Sequence, residues 1–143
     1  MKNTFVRDWM TSNPVTCSSD TTLPDAHKIM TERKIRRLPV VDHGRLVGIV
    51  TRGDVRGAEP SGATTLSIYE LNYLLAKLTI GSIMTKDPAS VTPATPIREA
   101  AALMLEKKIA GLPVVENDRV VGIITESDIF RMVVKLWGEE ETR

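Results

Sequence analysis

Apolar residues fall in a fixed order of patterns along this chain. Apolar positions at helical spacing from Leu23 onward, with polar residues between them, predict a helix that stops before Pro39. A short apolar run at 38–41 and a β-branched run at 46–51 predict two strands, and the polar turn at 42–44 joins them in a hairpin. A further short helix is predicted to begin at Thr51.

The same order then occurs a second time. Leu-Pro-Val-Val at 38–41 leads to a Gly-Ile-Val-Thr strand and Asp54, and Leu-Pro-Val-Val at 112–115 leads in the same way to Asp128. The offset between the copies is 74 residues and holds without a gap from Met10 and Met84 onward. Such self-similarity indicates two copies of one supersecondary unit that cannot bury its apolar face alone.

Each copy predicts the same series of elements. In the first, a lead-in at 5–10 and a turn at 11–14 precede a short strand at 15–17 and a helix capped by Thr21 or Thr22. The second predicts a strand near 89–91, a helix capped at Thr95, a hairpin turning at 117–118 and a helix from Thr125. The helix after Thr95 is the more apolar of the pair, so we expect it to be the more deeply buried.

The repeats set the predicted domain bounds. The first motif covers 6–57, a linker with a connecting helix covers 58–79, the second motif covers 80–136, and a flexible acidic tail covers 137–143. The linker is rich in Gly, Pro, Ser and Thr over 57–65, and its helix is predicted to dock through apolar residues at helical spacing, namely Ile68, Leu71, Leu74, Leu75 and Leu78.

These elements predict a mixed α/β (α+β) fold of two β-α-β-β-α motifs. A three-stranded sheet with helices on one side leaves one face uncovered, and the second copy can cover it. Pseudo-twofold packing of the motifs would bury both faces and leave two equivalent clefts along their seam.

Composition narrows the possible roles. The chain has 143 residues, 42% of them hydrophobic and 26% charged, which is typical of a soluble globular protein. A net charge of +1 and an aromatic content of 4% argue against a nucleic-acid partner. The first ten residues show no apolar signal region, and no apolar run is long enough to span a membrane. With a single cysteine, Cys17, these features predict a cytoplasmic protein.

The sequence offers little catalytic chemistry. His27 and His43 have no histidine counterparts in the second copy, and we interpret both as solvated surface residues. Cys17 has no neighbour that would lower its pKa, so we expect a buried small residue rather than a nucleophile. Metal-ligand spacings and phosphate-binding glycine loops are absent from the sequence. We therefore expect neither an enzyme nor a bound cofactor or metal.

Thr-x-x-Asp recurs directly after each second hairpin strand, at Thr51–Asp54 and Thr125–Asp128. One interpretation is structural, since Thr and Asp at this spacing form a capping pair at a helix start. The other adds a ligand, because free N–H groups at a helix start suit phosphate and a carboxylate can accept both hydroxyls of a ribose. The two interpretations are compatible.

The chain has one dense basic cluster, over residues 33–37. Arg33 and Lys34 are expected to be solvated, whereas Arg36 and Arg37 stand just before a buried strand and are expected to face the seam. Their counterparts are Ala110 and Gly111, so the two predicted clefts are not equal.

The doubled Leu-Pro-Val-Val and Gly-Ile-(Val/Ile)-Thr-x-x-Asp pattern resembles a tandem pair of CBS domains, from about Val6 to Val134. The linker and its helix are also similar to stand-alone pairs and to acetoin-utilisation accessory proteins. The resemblance implies an adenosine ligand (AMP, ADP, ATP or sometimes S-adenosylmethionine), a homodimer of modules, and a regulatory role exerted on an unidentified protein target.

The resemblance also assigns residues to each cleft. In the first cleft, Asp128 would hold the ribose, Thr125 and the two arginines the phosphate, and three apolar residues the adenine. That cleft comprises Val15, Thr16, Ile35, Arg36, Arg37, Ile123, Thr125, Ser127 and Asp128. The second cleft comprises Ile49, Thr51, Asp54, Ala89, Ser90, Ile109 and Ala110, and its uncharged positions before the Leu-Pro-Val strand suit a ligand with less negative charge or no ligand.

Two other roles stay open at this point. The clefts could be vestigial and the protein a structural dimerisation module. Alternatively, the basic cluster could bind RNA or DNA, which some members of the family do, although the near-neutral charge argues against this.

Overall fold

The computed structural model describes residues 4–59 and 67–141. It divides into two compact units: the first unit comprises residues 15–88, and the second unit combines residues 4–14 with 89–141. In chain order the elements are α1 (Val6–Trp9), β1 (Thr11–Ser12), α2 (Leu23–Arg33), β2 (Arg37–Asp42), β3 (Arg45–Thr51), α3 (Arg52–Ala58), α4 (Ile68–Lys77), α5 (Ile80–Ile83), β4 (Thr85–Lys86), α6 (Ile97–Lys107), β5 (Gly111–Glu116), β6 (Arg119–Thr125) and α7 (Glu126–Glu141).

Each unit contains one antiparallel three-stranded sheet, in the order β2-β3-β4 or β1-β6-β5. Both predicted hairpins are confirmed. Their two-residue turns have positive φ at both positions, 52° and 79° at His43 and Gly44, and 53° and 65° at Asn117 and Asp118. Positive φ at both central residues is the geometry that matches the right-handed twist of paired strands, and Gly, Asn and Asp adopt it most readily.

The third strand of each sheet comes from the lead-in of the other repeat. β1 pairs with β6, so that Thr11 lies opposite Ile123, and β4 pairs with β3, so that Thr85 lies opposite Ile49. We predicted a turn over 11–14, and this is wrong for Thr11 and Ser12. Their extended conformation is imposed by a strand more than a hundred residues away, which the local sequence does not reveal.

Backbone hydrogen bonds fix the same exchange of lead-ins. The segment just before each repeat donates one backbone hydrogen bond to the start of α2 or α6 in the other repeat, and accepts one from it. The pairs are Val6 N to Thr95 O (2.8 Å) and Ile97 N to Thr4 O (2.7 Å) in the second unit, and Ile80 N to Thr21 O (2.8 Å) and Leu23 N to Leu78 O (3.0 Å) in the first.

The strands predicted at 15–17 and 89–91 shrink to single parallel bridges, between Cys17 and Val40 and between Val91 and Val114. Pairing ends there because the chain turns at once: the Ser18 N–H donates to Thr21 Oγ1 at 3.1 Å. The prediction of regular strands at these two places is therefore corrected.

The predicted cap is confirmed for α2 and is wrong for its counterpart α6. Thr22 caps α2 by accepting from the Asp25 N–H at 3.3 Å, as predicted. The cap position of α6 is Pro96, and Thr95 instead accepts from the Thr92 N–H at 3.0 Å. Thr95 was the wrong choice because its repeat counterpart is Thr21, which holds the preceding turn.

The two cores use the same repeat positions. α2 buries Leu23, Ala26 and Met30, and α6 buries their counterparts Ile97, Ala100 and Met104. The expectation that α6 is the more deeply buried holds at one position only, since the two helices match in burial along their length except at Ala101, which is half-buried where its counterpart His27 is exposed. Strand residues complete the cores, with Leu38, Val40 and Val50 in the first unit and Leu112, Val114 and Ile124 in the second.

The predicted connecting helix is α4, yet it is attached by few side chains. Leu75 and Leu78 pack on the first core, whereas Ile68 and Leu74 are 68% and 45% exposed. Of the linker predicted over 57–65, residues 57 and 58 end α3, and 60–66 lie outside the described residues.

The tail predicted over 137–143 is helical as far as Glu141, because α7 continues to that residue. Residues 142 and 143 lie outside the described residues. A single glycine, Gly138, costs a helix only about 1 kcal/mol, and glutamate is a good helix former. The helix therefore extends into the predicted tail, and the flexibility of that tail stays a prediction.

Candidate functional site

Thr51 and Asp54 form a reciprocal cap at the start of α3. The Thr51 N–H donates to Asp54 Oδ2 at 2.8 Å, and the Asp54 N–H donates to Thr51 Oγ1 at 3.1 Å. Both residues are half-buried. The structural interpretation of Thr-x-x-Asp is thus confirmed here, and of the two carboxylate oxygens it is Oδ2 that takes part in the cap.

Thr125 and Asp128 occupy the corresponding position at the start of α7. Asp128 Oδ2 accepts from the Thr125 N–H at 2.8 Å and from Thr125 Oγ1 at 3.2 Å. Its other oxygen, Oδ1, accepts from the Arg131 guanidinium in an ion pair. Asp128 is only 3% exposed and is the buried charged residue of the described chain. Its carboxylate is therefore held rigidly by three donors.

Arg131 is a functional candidate that the sequence analysis missed. It lies three residues after Asp128, a spacing at which helix side chains meet, and its side chain is 65% exposed. Its counterpart in the first repeat is Gly57. The signal was present in the sequence as an acid–base pair at helical spacing in one repeat only.

The residues before each Leu-Pro-Val strand run close to the following helix start. The Arg52 N–H donates to Arg36 O at 2.7 Å, and the Glu126 N–H donates to Ala110 O at 2.9 Å. The Arg36 side chain is exposed, whereas Arg37 is half-buried. The backbone before the strand is thus bonded to the helix that carries the Thr-x-x-Asp motif of its own repeat.

The remaining predicted residues divide by exposure. Those that line the sheets or cores are half-buried: Val15, Ile35, Ile49, Ala89, Ala110 and Ile123. Those on the outer edge are exposed: Thr16, Ser90, Ile109 and Ser127. Each predicted cleft draws residues from both units. Ile123, Thr125, Ser127 and Asp128 lie in the second unit and the other residues of that cleft in the first, and the assembly of either cleft stays a prediction.

The second unit also carries an apolar groove between α6 and α7, with a volume of about 480 Å³. Sequence analysis did not identify it, although two predicted site residues lie on its wall. It is lined by Ala101, Met104, Leu105, Lys108, Ile109, Ala110, Glu126, Ile129 and Phe130. Leu105 and Phe130 are 81% and 63% exposed, so an apolar surface continues from the groove onto the outside of α7.

Within residues 4–59 and 67–141, no cluster of three histidine, cysteine or acidic side chains could hold a metal ion. His27 is paired through Nδ1 with Glu59 Oε1 at 3.4 Å, and both side chains are substantially exposed. Burial, with a smaller contribution from the Asp42 charge, raises the pKa of the Cys17 thiol to about 11, which is the reverse of an activated nucleophile. None of the described helices has the length and apolarity to cross a membrane.

Known proteins are similar in sequence over most of this chain. A CBS domain-containing protein of Dictyostelium discoideum is 35% identical over 134 residues, which cover 92% of each chain. L-aspartate semialdehyde sulfurtransferase of Methanocaldococcus jannaschii is also 35% identical, but this chain spans only 23% of that enzyme's length.

Solved structures agree with the fold. A putative acetoin utilization protein (AcuB) from Vibrio cholerae matches with a TM-score of 0.78 at 34% identity, covering 97% of this chain and 96% of that one. The CBS domain pair of protein MJ0100, in complex with 5′-methylthioadenosine and S-adenosyl-L-methionine, matches with a TM-score of 0.75 at 34% identity, covering 96% of this chain and 98% of that one. CBSX2 of Arabidopsis thaliana in complex with AMP matches with a TM-score of 0.78 at 30% identity, covering 92% and 97%.

The family model for the CBS domain matches this sequence twice, over residues 6–61 and 80–135. Both matches contain the Leu-Pro-Val hairpin and the capped Thr-x-x-Asp helix start described above. The chain therefore belongs to the CBS domain family, as a tandem pair.

Proposed function

We propose that this protein is a regulatory module that senses an adenosine compound (AMP, ADP or ATP) in clefts between its two CBS motifs. The observation that carries the proposal is the Asp128 carboxylate, almost fully buried yet fixed by Thr125 at a helix start. A rigid acceptor of this kind suits sugar hydroxyls, because the ligand does not have to order it. Two structural neighbours with at least 30% identity are complexes with adenosine compounds.

The chemistry of each side chain suggests its role in the first proposed cleft. Asp128 would accept ribose hydroxyls, and Thr125 with Arg36 and Arg37 would bind phosphate. Charge-assisted hydrogen bonds are worth about 1.5–3 kcal/mol each, so the arginines would dominate affinity for phosphate. Ile123, Val15 and Ile35, all half-buried, would contact the adenine, with Thr16 and Ser127 at the edge.

The second proposed cleft would use the same sugar chemistry with less charge. Thr51 and Asp54 take the place of the threonine and acid, and Ile49 and Ile109 take the apolar positions. Ala89, Ser90 and Ala110 carry no charge, so this cleft would favour a ligand with fewer phosphates. S-adenosylmethionine, which lacks phosphate, is the alternative ligand of this kind, and the MJ0100 complex supports it.

We propose further that two copies of the chain form a homodimer through the apolar face of α7. Phe130, Val134 and Trp137 recur at helical spacing and are 63%, 74% and 54% exposed. A twofold contact places the same face on both partners, so an apolar stripe on one long helix is self-complementary. This face continues into the α6–α7 groove through Phe130.

Regulation would then act on a separate protein target, and the module itself would be non-catalytic and cytoplasmic. A purely structural dimerisation module is the competing function, favoured by the cap hydrogen bonds that already account for Thr-x-x-Asp. The two functions differ in whether adenosine compounds bind.

The test is a thermal-shift and calorimetric titration with AMP, ADP, ATP and S-adenosylmethionine. A ligand at 100 times its Kd stabilises the fold by about 2.7 kcal/mol, which raises Tm by about 5–10 °C at this size. We expect such a shift from at least one compound. It should be reduced in Asp128→Ala, lost in the Asp54→Ala/Asp128→Ala pair, and kept in the matched control Glu106→Gln, which removes an exposed acid of α6. If no adenosine compound raises the Tm of the wild type, the structural module is the better description.

A further inference from the structure

Asp128 and Asp54 occupy the same position in the two repeats, but their carboxylates differ in how much of their acceptor capacity is in use. A carboxylate offers about four lone-pair sites for hydrogen bonds. Asp128 uses two on Oδ2 for Thr125 and one on Oδ1 for Arg131. A single acceptor site therefore remains for a ligand.

In the first repeat the threonine bonds are arranged differently. Thr51 Oγ1 accepts from the Asp54 N–H, and Asp54 Oδ2 accepts from the Thr51 N–H. The position equivalent to Arg131 is Gly57, which has no side chain to pair with the acid. A vicinal diol needs two acceptor positions, and the absence of the arginine leaves them on this carboxylate.

We propose that Arg131 is a specificity-determining residue that restricts Asp128 to one sugar hydroxyl of the ligand. The inference rests on the proposed function, since it assigns the chemistry of that same cleft. A ribose could engage both hydroxyls only by displacing the guanidinium, which breaks an ion pair to a buried carboxylate. A 2′-deoxyribose, which presents one hydroxyl, could bind with the ion pair intact.

The exposures of the Asp128 and Arg131 side chains favour displacement of the guanidinium by a ligand. Asp128 is fixed and 3% exposed, whereas Arg131 is 65% exposed and can leave into water without moving the backbone. The arginine therefore acts as an internal competitor of the ligand, present in one repeat only. Removal of the Arg131 side chain should therefore tighten binding of a ribonucleotide and leave binding of a deoxyribonucleotide almost unchanged.

The experiment compares AMP with 2′-deoxy-AMP by calorimetry in an Asp54→Ala background, which isolates the Asp128 site. We expect Arg131→Ala to tighten AMP about 10-fold, the loss of one charged competitor, while the Kd of 2′-deoxy-AMP changes less than twofold. The Kd of Arg131→Lys for AMP should lie between the values for Arg131 and for Arg131→Ala. Arg131→Met, which keeps the length of the side chain, serves if the alanine variant does not fold.

The reciprocal exchange tests the same idea in the other repeat. In an Asp128→Ala background, Gly57→Arg should weaken AMP about 10-fold and leave 2′-deoxy-AMP unchanged. A Cβ at Gly57 meets nothing within 4 Å, so Gly57→Ala is the matched control and should not alter either Kd.

Three results would overturn the inference. Weaker AMP binding in Arg131→Ala would make the arginine a phosphate ligand, and an equal change for both nucleotides would remove its link to the sugar. Binding that is lost in Asp128→Ala but insensitive to Arg131 would refute the inference alone. Failure of every variant to bind any adenosine compound would refute the proposed function together with it.

Discussion

The two repeats keep the same core and differ in the helix faces around it. Every position of the α6–α7 groove has a counterpart in the first repeat at an offset of 74 residues, on α2, on α3 or in the segment between α2 and β2. Apolar residues or glutamate in the second repeat are replaced by basic or polar residues in the first: Ala101 by His27, Leu105 by Thr31, Ala110 by Arg36, Glu126 by Arg52 and Phe130 by Arg56.

The fold constrains the buried positions of both repeats and leaves their exposed positions free to vary. Buried positions such as Met30 and Met104 are fixed by close packing, which penalises any change of volume. Exposed positions carry no such penalty, so one repeat could become basic and the other apolar. In the proposed function the first would bind phosphate, and the second would contact another copy of the chain.

The first prediction carries the largest effect and tests the core that the two repeats share. Gly48 and Gly122 are counterparts on β3 and β6, and a Cβ at Gly122 would lie 2.6 Å from Met10 Sδ and 2.9 Å from Thr11 O. At Gly48 the Cβ would meet Met84 and Thr85 in the same way. We expect each Gly→Ala variant to lose about 2–3 kcal/mol of unfolding free energy, because the obstacle includes backbone.

Urea unfolding of both variants checks this prediction. In Gly81→Ala the nearest atom to the added Cβ is 3.1 Å away, so this variant should lose less unfolding free energy than Gly48→Ala or Gly122→Ala. A large loss in one repeat and none in the other would break the equivalence of the cores.

The second prediction carries an intermediate effect and tests the exposed helix faces, in which the repeats differ. Phe130→Asp places a charge on the apolar face of α7 and should weaken the proposed homodimer about 30-fold, which corresponds to about 2 kcal/mol. Its first-repeat counterpart, Arg56→Asp, alters an equally placed exposed residue and should leave association unchanged. Sedimentation equilibrium measures both constants. Dissociation by Arg56→Asp instead would move the interface to the first repeat.

The smallest effect concerns the one core position at which the repeats differ in chemistry. Cys17 has Val91 as its counterpart, and burial raises the pKa of the Cys17 thiol from 9.0 to about 11. Because the folded-state pKa is the higher, stability from this group is complete below pH 9 and is lost as pH rises through 11. At pH 10 the loss should be about 1 kcal/mol.

Cys17→Val should remove this loss, so the two proteins should differ in unfolding free energy more at pH 10 than at pH 7. Chemical denaturation at the two values measures the difference. An unchanged difference between them would mean that the thiol ionises as freely in the folded protein as in the unfolded chain.

Sequence patterns predicted the elements that are stabilised locally. The hairpin at His43 and Gly44 was predicted because its turn residues adopt positive φ readily, and the α2 cap at Thr22 because the threonine and Asp25 are close in sequence. Both depend on contacts within a few residues. The family and its Thr-x-x-Asp positions were found because the pattern is written twice.

What the sequence did not reveal depends on distant partners. Thr11 and Ser12 form a strand only because β6 is beside them, and no local signal identifies that neighbour. The cap of α6 at Pro96 was missed because a proline at this position offers no side-chain acceptor to recognise. Arg131 was not predicted because its counterpart in the first repeat is Gly57, so the repeat pattern does not mark its position.

The exchange of lead-ins has a consequence for biosynthesis. Residues 15–88 form a continuous stretch, so the first unit holds all its own strands once position 88 has left the ribosome. Thr11, by contrast, must wait for Ile123 to be translated before its sheet can close. The earliest part of the second unit to be synthesised is thus among the last to be secured, and a nascent chain halted between the repeats would carry that segment without its partner.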